Sequence, residues 1–266
     1  MTDIHLDNYL GLIVEVLPSI LQRLESQITM RDARFSKLSA SDKDDFLGWS
    51  YVYSTNQLMA CTDALRTLEF LSHKSTGSLQ VNVTQNGVAG LLRQALESLS
   101  TFVWLNAHSN DSEARQKAHS YHIADLQERA KYYKDLGEEK EVEKTIAMLE
   151  SARTVGLEEG YSRQEPDKNG KLIHKQLVPL PGLTDLCARI LTPEDVITEG
   201  VLEHYPGMKN ASWLYRWSSG LAHGKFWVNL FTLSEGDMHR TVPNYLNLSV
   251  MLLTLIKEIN SAIQVE

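Results

Sequence analysis

Arg216 and His223, in the segment 213–224, have types and a spacing that could do chemistry together. Successive residues of a helix turn by about 100°, so this pair falls on one face with Ser219 and Gly220. A separation of seven residues spans about 10 Å of helix axis, and a long arginine side chain closes much of that gap. A cation, a hydroxyl and an imidazole would then face the same space, because Gly220 adds no bulk between them.

These groups suit the cleavage of an RNA phosphodiester. Histidine can move a proton to or from the 2′-hydroxyl or the leaving oxygen near neutral pH. Arginine can pair with the phosphate and stabilise the charge that develops in the transition state. A structural interpretation stays open, in which Arg216 pairs with a carboxylate and His223 forms a hydrogen bond near the helix C-terminus. The geometry of this segment alone favours the structural interpretation.

Apolar residues occupy the opposite face of the same segment. They are Leu214, Trp217, Leu221 and Ala222. We expect Trp213 or Trp217 to pack into the main core with the leucines of this face, because burying a large apolar side chain strongly stabilises a fold. The segment is therefore predicted to be an amphipathic helix with its polar groups turned away from the core.

A second polar stripe lies in the helical pattern at 85–108. Its members are Arg93, Glu97, Ser100 and Trp104. Their spacing puts them on one side of a helix whose other residues are mostly apolar, and buried polar groups need partners. An ion pair between Arg93 and Glu97 would satisfy both. A contact of Glu97 with Arg216 or His223 would instead join this stripe to the first site.

The sequence predicts no metal site and no cofactor. It lacks the Glu-x-x-His, His-Glu-x-x-His, Cys-x-x-Cys, phosphate-loop, G-x-G-x-x-G and G-x-S-x-G patterns. His119, His122 and Asp125 share part of a helix, but no further ligand lies nearby in the sequence. We therefore interpret these three residues as a solvated polar face.

Composition favours an ordinary globular protein of 266 residues. The net charge of -8 argues against broad electrostatic binding to nucleic acid. Two cysteines, Cys61 and Cys187, are too few for a disulfide framework and indicate a reducing cytoplasm. The N-terminus has no signal-peptide pattern, and polar residues interrupt the most apolar segment, 245–263, so we predict no membrane span.

Hydrophobic periodicity predicts an all-α fold, a helical bundle with extra helices and a short hairpin or loop insertion. We expect one domain over 1–266: an N-terminal helix (4–28) and loop within 1–45, helical hairpins at 46–155, a loop insertion at 156–182, and C-terminal helices at 183–266. Ser41 is the expected N-cap of a helix at 42–74, and Asn110 or Asp111 that of a helix ending at Gly137. We expect β structure only near 160–178 and 226–233.

The insertion at 156–182 contains Asn169-Gly170, a strong hairpin signal, with a return strand expected at 172–178. A loop of this length in a compact domain is often a lid or a binding segment. One interpretation of the chain is therefore a small-molecule-binding helical sensor with this loop as its lid.

The spacing Arg216-x6-His223 on a helix resembles the R-x(4–6)-H motif of HEPN domains. A longer pattern is similar to that of a set of uncharacterised bacterial proteins. It comprises Arg93-x-x-x-Glu97, the segment 181–186 and Tyr215-Arg216-x-x-Ser219-x-x-x-His223-Gly224.

The HEPN resemblance implies a HEPN-like bundle that acts as a homodimer and cleaves RNA without metal in toxin–antitoxin or phage-defence systems. Arg216 would stabilise phosphate, His223 would act as general acid or base, and Ser219 and Glu97 would orient them. The alternative is a non-catalytic scaffold of a defence or mobile-element locus, binding an antitoxin or defence partner. The net negative charge of the chain favours this alternative over broad RNA binding.

Overall fold

The computed structural model describes residues 15–75, 78–81, 85–190, 215–216, 219 and 243–264. Several predicted features lie outside these residues. They are the apolar face of the 213–224 helix with its two tryptophans, the motif residues Gly220, His223 and Gly224, the helix expected from 193, and the strand-like segment 226–233. The described chain is all-α, as predicted, with short hairpins as its only β structure. In these ranges no helix combines the length and apolar character that a membrane crossing needs.

From Leu17 to Ile190 the described elements follow one another along the chain with short connections. In chain order they are α1 (Leu17–Ser36), α2 (Ala40–Asp44), α3 (Phe46–Leu71), β1 (Ser72–Ser75), β2 (Ser78–Val81), α4 (Gln85–Asn106), α5 (Asp111–Leu136), α6 (Glu139–Glu158), β3 (Ser162–Pro166), β4 (Leu172–Gln176), α7 (Leu183–Ile190) and α8 (Pro243–Gln264).

Contacts divide the chain into two compact units. The first comprises Met1–Asp32, Thr55–Val103 and Gly182–Glu266, and the second comprises Ala33–Ser54 and Trp104–Pro181. Two compact units can belong to one cooperatively folding domain, so the single domain expected from the sequence stays a prediction.

Leucines at helical spacing build the core of the first unit. They lie on α1, α3 and α4 and are almost completely buried: Leu17, Leu21, Leu24, Leu58, Leu65, Leu68, Leu92, Leu96 and Leu99. Spacings of three and four residues put each set on one face of its helix, which confirms the predicted periodicity. Truncating one such leucine to alanine typically costs about 2–5 kcal/mol.

The loop predicted after residue 28 is wrong, because α1 continues to Ser36. Arg31 is buried, and its guanidinium carbon lies 5.2 Å from the ring centroid of Phe102. Its long side chain is therefore part of the packed face, although its charge suggested a loop. Ser41 is not the N-cap that the sequence predicts, because it lies inside the short helix α2. The cap of α2 is Ser39, whose side chain accepts the amide of Asp42, and the long helix α3 begins only at Phe46.

A hairpin between α3 and α4 was not predicted from the sequence. Helix α3 ends at Leu71, and β1 pairs antiparallel with β2 in the register Ser72↔Val81 to Ser75↔Ser78. The expectation that β structure would be confined to two later segments is therefore wrong. Four-residue strands rich in polar residues have too little alternation to be distinguished from a loop.

Helices α5 and α6 form the helical pair of the second unit. The side chain of Asn110 caps α5 by accepting the amide of Glu113, and the helix ends at Gly137, whose φ of 74° is left-handed. Both ends match the sequence prediction and follow from standard capping chemistry. A small apolar cluster lies in this unit: Ile123, Leu126, Leu149 and Ala152.

The hairpin predicted in the 156–182 insertion is confirmed. Strand β3 pairs antiparallel with β4, from Ser162↔Gln176 to Pro166↔Leu172. The carboxylate of Asp167 accepts the amides of Asn169 and Lys171 at 2.8 and 2.9 Å, and Gly170 takes a φ of 77°. This side-chain bonding is the usual way in which aspartate stabilises a turn.

Both cysteines are free thiols in the interior of the first unit. Burial raises the pKa of Cys61 and of Cys187 to about 12 in each case. The hydroxyl of Ser100 donates a hydrogen bond to the sulfur of Cys187 at 3.5 Å, which ties α4 to α7.

Candidate functional site

A carboxylate on α4, that of Glu97, holds two partners in the first unit. Arg93, one turn earlier on the same helix, donates from Nε to Glu97 Oε1 at 2.7 Å. The hydroxyl of Tyr215 donates to the same oxygen at 2.8 Å. The Arg93 guanidinium also lies over the Tyr215 ring, 5.6 Å from its centroid. These three side chains, which we call the Glu97 cluster, tie α4 to the segment that carries Arg216.

The surroundings of Tyr215 in the Glu97 cluster keep its hydroxyl protonated. Tyr215 is buried, and this burial together with its hydrogen bond to Glu97 raises the pKa of the phenol to about 12. The phenol therefore stays protonated at neutral pH and acts as a donor. Charge-assisted bonds of this kind are stronger than neutral ones and fix geometry, so the cluster is a rigid anchor.

Of the two roles predicted for Glu97, the structure shows the ion pair with Arg93. Glu97 and Arg216 are both described, and no bond or ion pair joins them. Glu97 instead binds Tyr215, the residue directly before Arg216. It thus positions the chain next to the candidate arginine rather than the guanidinium itself.

Arg216 is exposed and helical, directly after the anchored Tyr215. Among the described residues no carboxylate forms an ion pair with it. Ser219 is also helical and half-buried, three residues further on, a spacing that puts two side chains on one helix face. The structure thus brings Glu97 to the segment of Arg216, whereas the position of His223 lies outside the described residues.

The remaining members of the α4 stripe have structural partners. Ser100 is buried and donates to the carbonyl of Leu96 at 2.6 Å, besides its contact with Cys187. Trp104 is buried, and the ammonium of Lys117 lies 5.7 Å from its ring centroid.

The interpretation of His119, His122 and Asp125 as a solvated face is wrong for both histidines. His122 is half-buried and packs against three aromatic rings. His119 is fully buried, and its Nε2 donates to the carbonyl of Ala152 at 3.0 Å. Its ring also meets the Phe46 ring edge-on, with centroids 5.1 Å apart. Packing against the Phe46 ring of α3 therefore places this histidine in the interior. In the described ranges no group of three histidine, cysteine or acidic residues could hold a metal ion.

The burial of His119 predicts a stability that falls in mild acid. Burial, helped by the nearby His174, lowers the pKa of His119, although the bond to Ala152 opposes this shift. The unfolded histidine titrates near about 6.5. Its contribution is fully present above that pH and is lost as the pH falls towards the folded pKa, because the unfolded chain binds the proton more readily.

Urea denaturation at pH 7.5 and 5.5 should therefore give a smaller free energy of unfolding at pH 5.5. We expect the difference to be smaller in His119→Gln, which cannot titrate. His108→Gln, at an exposed position, is the matched control and should keep the parent's difference. An unchanged difference in His119→Gln would show that other groups cause the acid sensitivity.

Removing the Tyr215 hydroxyl should destabilise the first unit. In Tyr215→Phe, Glu97 loses one donor while the rest of the ring keeps its packing, so we expect a loss of about 1–2 kcal/mol in the free energy of unfolding. Tyr132→Phe, at an exposed tyrosine, is the control and should change it by less than about 0.5 kcal/mol. Equal effects of the two substitutions would mean that the bond to Glu97 contributes nothing net.

Sequence reasoning missed the role of Tyr215. The tyrosine belongs to the motif, but the helical-face argument assigned it to neither face. One signal was available: a tyrosine beside a polar motif and a carboxylate on a mostly apolar helix elsewhere in the chain are natural hydrogen-bond partners, because buried tyrosine hydroxyls usually find one.

Comparison of the chain with protein-family models, with curated proteins and with solved structures gives no match. The resemblance to HEPN domains thus stays a prediction that depends on the motif residues alone.

Proposed function

We propose that this chain is a metal-independent endoribonuclease of a toxin–antitoxin or phage-defence system. The observation that carries the proposal is the exposed Arg216, next to the anchored Tyr215 and without an ion pair to any described carboxylate. A guanidinium that binds phosphate has to be accessible and uncompensated, and its backbone has to be held in place. Arg216 meets the first condition within the described chain, and the Glu97 cluster meets the second.

In the proposed reaction, Arg216 binds the phosphate and stabilises the charge that builds on its oxygens. His223 moves the proton: the 2′-oxygen loses it as it attacks phosphorus, and the 5′-oxygen gains one as its bond to phosphorus breaks. Ser219 orients the arginine or the phosphate from the same helix. Glu97 is a positioning residue that acts through Tyr215.

We further propose a cytoplasmic homodimer in which the Arg216 segments of two copies form one RNA-binding surface. An antitoxin or another defence protein is the proposed partner. Sedimentation equilibrium of the purified chain should give twice the mass of 30.1 kDa, and a monomer across the whole concentration range would end the composite-site proposal.

A non-catalytic scaffold of a defence or mobile-element locus is the second candidate. The net charge of -8 favours it, because an acidic surface repels the phosphate backbone on average. Such a protein would use the Glu97 cluster only to hold its helices together.

A digest of mixed RNA by the purified chain separates the two candidates. We expect cleavage that survives EDTA, because the proposed chemistry uses only an arginine and a histidine. A DNA oligonucleotide of the same sequence should stay intact, since it lacks the attacking 2′-hydroxyl. Absence of cleavage with and without a candidate partner would favour the scaffold.

A further inference from the structure

A pocket of about 190 Å³ lies in the second unit, under the β3–β4 hairpin. Helix α5 supplies Ser120 and Gln127 to its wall, α6 supplies Arg153, and β4 supplies His174 and Gln176. Apolar side chains, among them Leu180 after the hairpin, complete the lining. The pocket is thus built from four separate parts of one unit, and it contains none of the residues of the proposed nuclease site.

Three of the lining residues carry buried polar atoms that lack a hydrogen-bond partner in the described chain. These atoms are Ser120 Oγ, Arg153 Nε and His174 Nδ1. Ser120 is only 3% exposed, so bulk water does not solvate its hydroxyl. Buried polar atoms in native proteins nearly always have a partner, so three orphans on residues that line one cavity point to a polar ligand that would complete their hydrogen bonds.

The charge of the lining selects the sign of the occupant. Arg153 is the charged residue of the wall, and no carboxylate lines the pocket. Nη1 of Arg153 donates a hydrogen bond to Glu150 Oε1 at 2.6 Å. The edge of the guanidinium that carries Nε has no partner in the described chain and stays available for a ligand. A guanidinium edge matches a carboxylate with two parallel hydrogen bonds. Because Glu150 already shares the positive charge, the site suits one negative charge better than a phosphate dianion.

The size and the apolar part of the wall define the rest of the ligand. A protein cavity of about 150 Å³ accepts benzene, so this pocket holds a molecule of slightly more than that size. Ile123, Ala124 and Leu180 offer contacts to hydrocarbon. We propose that the second unit binds a small aliphatic monocarboxylate, with its carboxylate on Arg153 and Ser120 and its alkyl chain against these apolar residues.

Calorimetric titration of the full chain with pentanoate tests this assignment. Pentanamide, which has nearly the same shape but no charge, is the matched ligand control. We expect pentanoate to bind at least about tenfold more tightly than pentanamide, and Arg153→Gln to weaken pentanoate by at least about tenfold, since charge-assisted bonds are lost. Arg129→Gln, at another arginine paired within its own helix and outside the pocket, should bind as the parent does.

Ser120→Ala provides a second variant that keeps the helix if Arg153→Gln does not fold. It removes one orphan hydroxyl and should weaken pentanoate by at least about threefold. Equal binding of pentanoate and pentanamide would overturn the proposal. So would parent-like affinity in folded Arg153→Gln or Ser120→Ala, or no heat of binding up to about 10 mM pentanoate, a result that would assign the cavity to ordered water. None of these outcomes depends on whether the chain cleaves RNA.

Discussion

Arg216→Ala and His223→Ala should each lower the rate of RNA cleavage by at least about a hundredfold. Positioned acid–base groups and donors to a developing charge each contribute factors of this size or more. Because the two groups would act on one transition state, we expect the double variant to be little slower than either single variant. The measurement is the initial rate of cleavage of a labelled RNA by parent, single and double variants.

Two controls separate chemistry from folding in this series. Circular dichroism should show the parent's helix content in each variant, and His108→Ala and Arg129→Ala, at a second histidine and a second arginine, should cleave at the parent's rate. Unchanged activity in folded His223→Ala would end the catalytic assignment of this residue. A loss of stability in His223→Ala without any activity in the parent would support the structural interpretation of the histidine.

Gly156→Ala should destabilise the second unit by about 2 kcal/mol or more. A Cβ at this position would lie 2.5 Å from Cε1 of His119 and 3.0 Å from Oγ of Ser162. His119 is fully buried, so its ring has no free volume to enter, and overpacking of this kind typically costs about 1–3 kcal/mol. Alanine favours a helix by about 1 kcal/mol over glycine, but this gain does not remove an overlap with a fixed ring.

Urea denaturation gives the free energy of unfolding for this comparison. Thr154→Ala, at an exposed position of the same helix, is the control and should stay within about 0.5 kcal/mol of the parent. The pair Gly156→Ala with His119→Ala should recover part of the loss, because the smaller side chain frees the space that the Cβ needs. If Gly156→Ala is as stable as the parent, the helix and the histidine do not pack as described.

The parts of the fold that the sequence predicts are those set by local patterns. The helix bounds at α4 and α5 follow from apolar spacing, Asn110 and Gly137, and the β3–β4 hairpin follows from its turn residues. The errors arise where a residue distant in sequence determines the length of a helix or the burial of a side chain. Arg31 continues α1 because Phe102 covers it, and His119 is buried because Phe46 and Ala152 meet it. No local pattern contains these contacts.

The candidate site likewise combines a contact that local sequence predicts with contacts that depend on the packing of distant segments. The Arg93–Glu97 pair can be predicted because residues four apart on a helix are neighbours. The bond from Tyr215 to Glu97 joins residues 118 positions apart, so it depends on the packing of the first unit. The pocket near Arg153 is harder still to predict, because its wall combines side chains from two helices and a hairpin.

The reactivity of the two buried thiols measures how often the first unit opens. A thiol with a pKa near 12 is almost entirely protonated at pH 8, and the thiolate is the species that attacks alkylating reagents and disulfides. Cys61 and Cys187 will therefore react only when the first unit opens, and the rate of their modification will report how often it does so. Oxidants that would crosslink exposed cysteines will leave these two thiols unchanged for as long as that unit stays closed.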